Sequence, residues 1–111
     1  MTVENKVLVQ TKYVETVETD QYSGSNVVTV LDVVSVANVG SNTAVLNLYL
    51  VPSGGTVGVG NNVLVSRSIA PGETYLSPEM VGQVLASGDA LYAKSDQANS
   101  LVLRASGRVI S

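Results

Sequence analysis

The most regular pattern in the chain is an alternation of apolar side chains over residues 43–51. Leu46, Leu48 and Leu50 occupy every second position, which is the period of a β-strand that packs one face on a core. We therefore predict that these three leucines are buried. The other face of the strand carries Val45, Asn47, Tyr49 and Val51. A strand with apolar residues on both faces lies between two layers or packs on a partner chain.

Similar patterns predict further strands at residues 27–39, 63–69, 74–76, 90–94 and 101–110. The first of these runs is almost continuously apolar, and its length indicates a strand that bends or crosses between two sheets. Gly, Pro and Asn separate the runs and supply turn chemistry. Residues 77–85 form the only plausible helical turn, with Ser77 as its N-cap and Pro78 at its first position.

The first 25 residues differ from the rest because they are polar and acidic. We interpret residues 1–25 as an N-terminal arm and loop, and an ordinary first strand followed by a loop fits them equally well. Residues 26–111 are expected to form the main domain. The predicted fold is all-β, a single antiparallel β-sandwich of jelly-roll or immunoglobulin-like type with about seven or eight strands.

The composition supports this fold and argues against several classes of function. Valine is the commonest residue, at 22 of 111, and its branched side chain favours strands over helices. Only 14% of residues are charged and the net charge is −3, so the basic stripe of a nucleic-acid binder is missing. The chain has no Cys and no His, which removes the commonest metal ligands and the commonest general base. We expect no cofactor and no enzymatic activity.

The distribution of charge also bears on location. Charged residues interrupt the N-terminal segment, which therefore lacks the apolar core of a signal peptide. No apolar run approaches the ~18 residues that a membrane span requires. We expect the protein in a cytosol-like compartment or in a particle assembled there.

Two acidic residues and one glycine-rich segment are candidates for catalysis or ligand binding. Residues 56–62 lack the lysine and the following helix of a phosphate-binding loop, so a mobile hairpin loop is favoured. Asp89 follows a glycine and is expected to bond its own backbone in a turn. Asp32 lies inside an apolar run, where it either faces solvent or pairs with Arg104 or Arg67.

The remaining candidates are surface residues for contact with other chains. Tyrosine is favoured at interfaces because its ring can be buried while its hydroxyl stays hydrogen-bonded. The segment 1–25 is net acidic, whereas the last eight residues carry arginine and no acid, and opposite charges guide docking. We therefore expect the N-terminal segment to bind a sister subunit or a shell, with a loosely held terminus as the alternative. The candidate interface residues are Tyr13, Tyr22, Val45, Tyr49, Val51, Arg104 and Arg108.

Four stretches resemble small virion structural proteins of tailed bacteriophages. They are AVLNLYLVPSGG (44–55), SIAPGET (68–74), VGQVLASGDA (81–90) and LVLRASG (101–107). The resemblance covers roughly residues 30–110 and implies a β-sandwich that decorates or joins parts of a phage particle. It implies no catalytic residues. The expected role is a capsid decoration protein that forms homo-oligomers, contacts the major capsid protein or other virion proteins, and binds neither nucleic acid nor membrane. A neck, collar, tail or fibre component and a carbohydrate-binding module are the alternatives.

Overall fold

Nine β-strands make up most of the chain in a computed structural model, which describes residues 1–111. The strands are β1 (Val3–Tyr13), β2 (Thr19–Ser23), β3 (Val28–Asn38), β4 (Ala44–Val51), β5 (Asn62–Ile69), β6 (Thr74–Leu76), β7 (Val84–Leu85), β8 (Ala90–Ser95) and β9 (Leu101–Ile110). The only helical element is a 3₁₀ turn at Val59–Asn61. The all-β prediction is confirmed.

The strands form two antiparallel sheets. Sheet A has the order β1-β9-β3-β6, with the short β7 also paired to β3, and sheet B has the order β2-β8-β4-β5. Four of the pairings are nested along the chain: β1 with β9, β2 with β8, β3 with β6, and β4 with β5. The chain therefore runs as a long antiparallel ribbon whose tip is the β4–β5 hairpin.

One hydrophobic core lies between the inner faces of the two sheets. Sheet A contributes alternate residues of β3 and β9, and sheet B contributes alternate residues of β4 and β8, as strand geometry requires. The cluster consists of Val9, Val14, Leu31, Val34, Val36, Ala44, Leu46, Leu48, Ile69, Met80, Leu85, Leu91, Ala93, Leu101, Leu103 and Ala105.

The predicted leucine face is largely confirmed. Leu46 and Leu48 are fully buried in the core, whereas Leu50 is half-buried and packs against the margin of the core near the end of β4. The inward face of β4 is therefore the one that the alternation indicates.

Two local features differ from the sequence predictions, and a third decides between two predicted alternatives. Residues 77–83 form two consecutive turns instead of a helical turn, and Gly82 at φ 82° stops any helix at this point. The apolar run 27–39 stays in sheet A as β3, and it bends through a register shift between Leu31 and Val33. The strand number is nine, because β2 lies in the segment expected to be a loop and the two-residue β7 follows the turns.

Truncating Leu48 to alanine is expected to lower the free energy of unfolding by about 2–5 kcal/mol, because it removes buried apolar surface and leaves a cavity. Urea denaturation measures this change. Val65→Ala is the matched control, since Val65 is 68% exposed and its truncation should cost less than about 0.5 kcal/mol. Equal losses in the two variants would contradict the assignment of the core.

Candidate interaction surfaces

The outer face of sheet A, which points away from the core, is unusually apolar. Its cross-strand rows include Val3, Ile110 and Val28 in one row, and Val7, Ser106 and Val33 in another. The face as a whole carries Val3, Asn5, Val7, Tyr13, Val28, Val30, Val33, Ser35, Ala37, Thr74, Leu76, Val84, Val102, Arg104, Ser106, Arg108 and Ile110. Seven of the fourteen exposed large apolar side chains of the protein lie on this face. Contiguous exposed apolar surface of this kind is typical of interaction sites.

One ion pair lies on this outer face. Arg108 donates to Asp32 through Nε at 3.2 Å to both carboxylate oxygens and through Nη2 at 3.0 Å to Oδ1. The hydrogen bonds and the negative charge of Asp32 raise the pKa of Arg108 above its usual value. Asp32 faces solvent, as one sequence alternative expected, but its partner is neither Arg104 nor Arg67. The register shift between Leu31 and Val33 leaves Asp32 as the extra residue, beside Arg108 of the neighbouring strand.

Most charged side chains have a partner within the chain. Three ion pairs use Lys12 with Glu15, Lys94 with Glu18, and Arg108 with Asp32. Four acids, Glu73, Glu79, Asp89 and Asp96, accept hydrogen bonds, and Arg67 lies 4.5 Å from the ring centre of Tyr75. The four charged residues left without an ion pair, a side-chain hydrogen bond or a cation–π contact are Glu4, Lys6, Asp20 and Arg104. Three of these four lie on β1 and β9 of sheet A.

The outer face of sheet B is better covered by the chain itself. Tyr49 lies opposite Tyr92, and Val51 lies opposite Ala90. Tyr49 and Val51 are only 7% and 4% exposed, so they offer little area to another chain, and Val45 is half-buried. Burial, and then the negative charge of Glu18, raise the pKa of the Tyr49 hydroxyl.

The other predicted interface residues have different surroundings. Tyr13 is half-exposed on the outer face of sheet A, near the end of β1. Tyr22 points between the sheets, where its hydroxyl shares a 2.7 Å hydrogen bond with Thr29 Oγ1. Arg104 is exposed and unpaired on the outer face of sheet A. The structure therefore brings Tyr13, Arg104 and Arg108 to one face and separates them from Tyr22, Val45, Tyr49 and Val51.

Asp89 and the glycine-rich segment, which were considered as catalytic or binding sites, make hydrogen bonds that stabilise a turn and a loop. Asp89 accepts hydrogen bonds from the backbone N–H groups of Ala86 and Ser53, both at 2.9 Å, which confirms its expected place in a turn. The glycine-rich segment connects β4 to β5, and Asn61 closes it by hydrogen bonds to Gly58 N–H and the Thr56 carbonyl. No group of three or more potential metal ligands of the carboxylate, thiol or imidazole type is present. No helix of the protein has the length and apolar character to cross a bilayer.

Comparisons with protein-family models, with curated proteins and with solved structures give no match. The function is therefore inferred from the surfaces of this chain.

A small polar network ties the beginning of the chain to sheet B. The Lys12 ammonium donates to Glu15 at 2.7 Å and to Gln21 at 2.8 Å, and the Gln21 amide donates to Glu15 at 2.9 Å. Burial opposes ionisation of Glu15, but the hydrogen bonds from Lys12 and Gln21 outweigh it and lower the pKa of Glu15 below 4.5. The network holds β1 of sheet A against β2 of sheet B.

The Glu15→Gln variant is expected to show a weaker acid dependence of stability than the wild type. A lowered pKa in the folded state stabilises the fold above the unfolded pKa, and this contribution is lost as the pH falls through the folded pKa. The two unfolding free energies should therefore differ by a constant amount near neutrality and converge as the pH falls through the lowered pKa of Glu15 in the folded state. Urea denaturation between about pH 3 and 7 tests this, with Asp20→Asn as the control because Asp20 has no partner in the chain. A constant difference over the whole range would contradict the prediction.

Proposed function

We propose that this chain is a non-enzymatic structural subunit of a protein particle, and that the outer face of sheet A packs on another protein. The observation that carries the proposal is the concentration of exposed apolar side chains on that face, around the unpaired Arg104. A protein surface that combines apolar area with an arginine has the composition of an interface.

The finer fold that we propose is a jelly-roll β-sandwich. A jelly roll arises when a long antiparallel ribbon of paired strands rolls up. Strands from different pairs of the ribbon then become neighbours and form additional pairs. The four nested pairs of the ribbon meet the first requirement, and the additional pairs β9 with β3 and β8 with β4 meet the second. Viral capsid proteins and lectins are among the proteins that use this architecture.

The particle that we propose is the virion of a tailed bacteriophage, assembled in the host cytoplasm. This proposal combines the resemblance of residues 30–110 to small phage virion proteins with the rolled fold and the apolar outer face. The role that we favour is capsid decoration, in which the subunit contacts the major capsid protein and stabilises the shell. A neck, collar or tail component would use the same surface at a lower copy number.

Purified virions from the phage that encodes this chain are expected to contain it in numbers comparable with the shell subunits. Quantitative mass spectrometry of the particles gives this number. A copy number that fits a single ring would assign the chain to the neck or tail. Absence from the particles would contradict the virion role altogether.

Variants of the outer face test the proposed surface separately. Val33→Asp and Arg104→Glu are expected to fold normally and to bind particles lacking the protein much more weakly, because each places negative charge on the proposed interface. Val65→Asp is the matched control, since Val65 is also an exposed valine but lies on β5 of sheet B. Circular dichroism checks the fold, and co-sedimentation measures binding. Unchanged binding of both face variants would contradict the assignment of this surface.

A further inference from the structure

The first strand leaves one edge of sheet A open. β1 is an edge strand of this sheet, because it pairs with β9 on one side and with no strand on the other. Residues Val3–Val7 pair with β9 without any register shift, and every one of their side chains is exposed. An exposed regular edge of this kind presents unpaired backbone groups to other strands.

The other three edges of the two sheets are less suited to pairing. β6 and β7 have three and two residues, and β2 has five residues with a register shift between Asp20 and Tyr22. β5 is longer, but its pairing with β4 contains register shifts and Ser66 has a φ of 50°. Bulges, short strands and positive φ values are devices that keep strand edges from pairing.

The backbone of β1 fixes which of its groups are free. Thr2 and Ser111 exchange two hydrogen bonds, with N–H···O distances of 2.8 and 2.9 Å. Hydrogen-bonded pairs alternate along an antiparallel ladder, so the backbone groups of Glu4 and Lys6 also point toward β9. The N–H and C=O groups of Val3, Asn5 and Val7 consequently point to the open edge.

The side chains of the same five residues are self-complementary. In the sequence Val3-Glu4-Asn5-Lys6-Val7, an antiparallel pairing with a second copy centred on Asn5 places Glu4 of each chain opposite Lys6 of the other. It also places Val3 opposite Val7. Glu4 and Lys6 have no ion-pair partner in their own chain.

We propose that two copies of this chain associate through the open edges of β1, around a two-fold axis at Asn5. The three pairs Asn5 with Asn5, Val3 with Val7, and Val7 with Val3 then each exchange two backbone hydrogen bonds, because these are the residues whose groups are free. Glu4 and Lys6 fall in the non-hydrogen-bonded pairs, where opposite side chains approach most closely. A two-fold interface of this type is isologous and closes at the dimer.

The charges of Glu4 and Lys6 favour the register centred on Asn5 over the registers centred on either adjacent residue. Moving the axis to Glu4 places the two Glu4 carboxylates opposite each other, and moving it to Lys6 does the same with the two ammonium groups. Like charges directly opposite on neighbouring strands are destabilising. A lone lysine on a strand edge discourages pairing, but here the partner strand supplies the carboxylate that neutralises it.

The pairing would also extend the outer face of sheet A. Val3 and Val7 lie on that face, so the outer faces of the two copies become continuous across the axis. The association does not depend on the function proposed above, and the two can fail separately.

Charge exchange within β1 tests the proposal. Sedimentation velocity of the untagged chain from micromolar to millimolar concentration is expected to show a reversible monomer–dimer equilibrium that weakens with added salt. Glu4→Lys alone and Lys6→Glu alone should each weaken the dimer by about tenfold or more, because both cross-strand pairs then carry like charges. The double variant E4K/K6E should restore association, and an equimolar mixture of the two single variants should form heterodimers.

Asp20→Lys is the matched control, because it makes the same charge change at an unpaired carboxylate on another edge. It should leave the dimer unchanged. Circular dichroism verifies that every variant is folded. A chain that stays monomeric at all concentrations, single variants that still dimerise, or a double variant that does not recover would each overturn the proposal.

Discussion

The contact between the inner faces of the two sheets is the interaction on which the rest of this structure depends. Neither sheet alone could shield its apolar face from water. The chain also has no disulfide that could stabilise the fold in place of a core. Fully burying a leucine or valine stabilises a fold by roughly 1.5–3 kcal/mol, and eleven of the sixteen core residues are of these two types. Because the core needs alternate residues from β3, β4, β8 and β9, it also fixes which side chains of those strands point outward.

The abundance of valine makes the outer face of sheet A apolar. The core between the two sheets takes up only one face of each sheet, whereas valine occurs at both alternating positions of β3. The surplus appears on the outer face of sheet A at Val28, Val30 and Val33. On the outer face of sheet B, Tyr49 and Val51 are covered within the chain itself. The two outer faces therefore differ, and sheet A is the face with apolar area available to a partner.

Most of the longer strands were predictable from the sequence because their signal is local, whereas β2 and β7 were missed. The period of two identified β4, and turn residues bounded β6 and β9 at the positions that the structure shows. The pairings were not predictable, because β1 meets β9 and β2 meets β8 across most of the chain, and no local pattern encodes such partners. The partner of Asp32 was missed for the same reason, since a register shift decides which arginine lies beside it. The exposure of Leu50 depends on where the core ends, which the alternation does not describe.

Gly107 shows how the open edge of β1 and the bend of β3 are connected. A Cβ atom at this position would collide with the carbonyl oxygen of Val30 and crowd the side chain of Leu8. A glycine inside a strand often marks such a close approach of backbones. Both neighbours of β9 shift register beside this point, β3 between Leu31 and Val33 and β1 between Val7 and Val9. The shift in β1 ends the stretch of regular pairing at Val7, so the regular part of the open edge stops beside the close approach of the backbones at Gly107 and contains both Glu4 and Lys6.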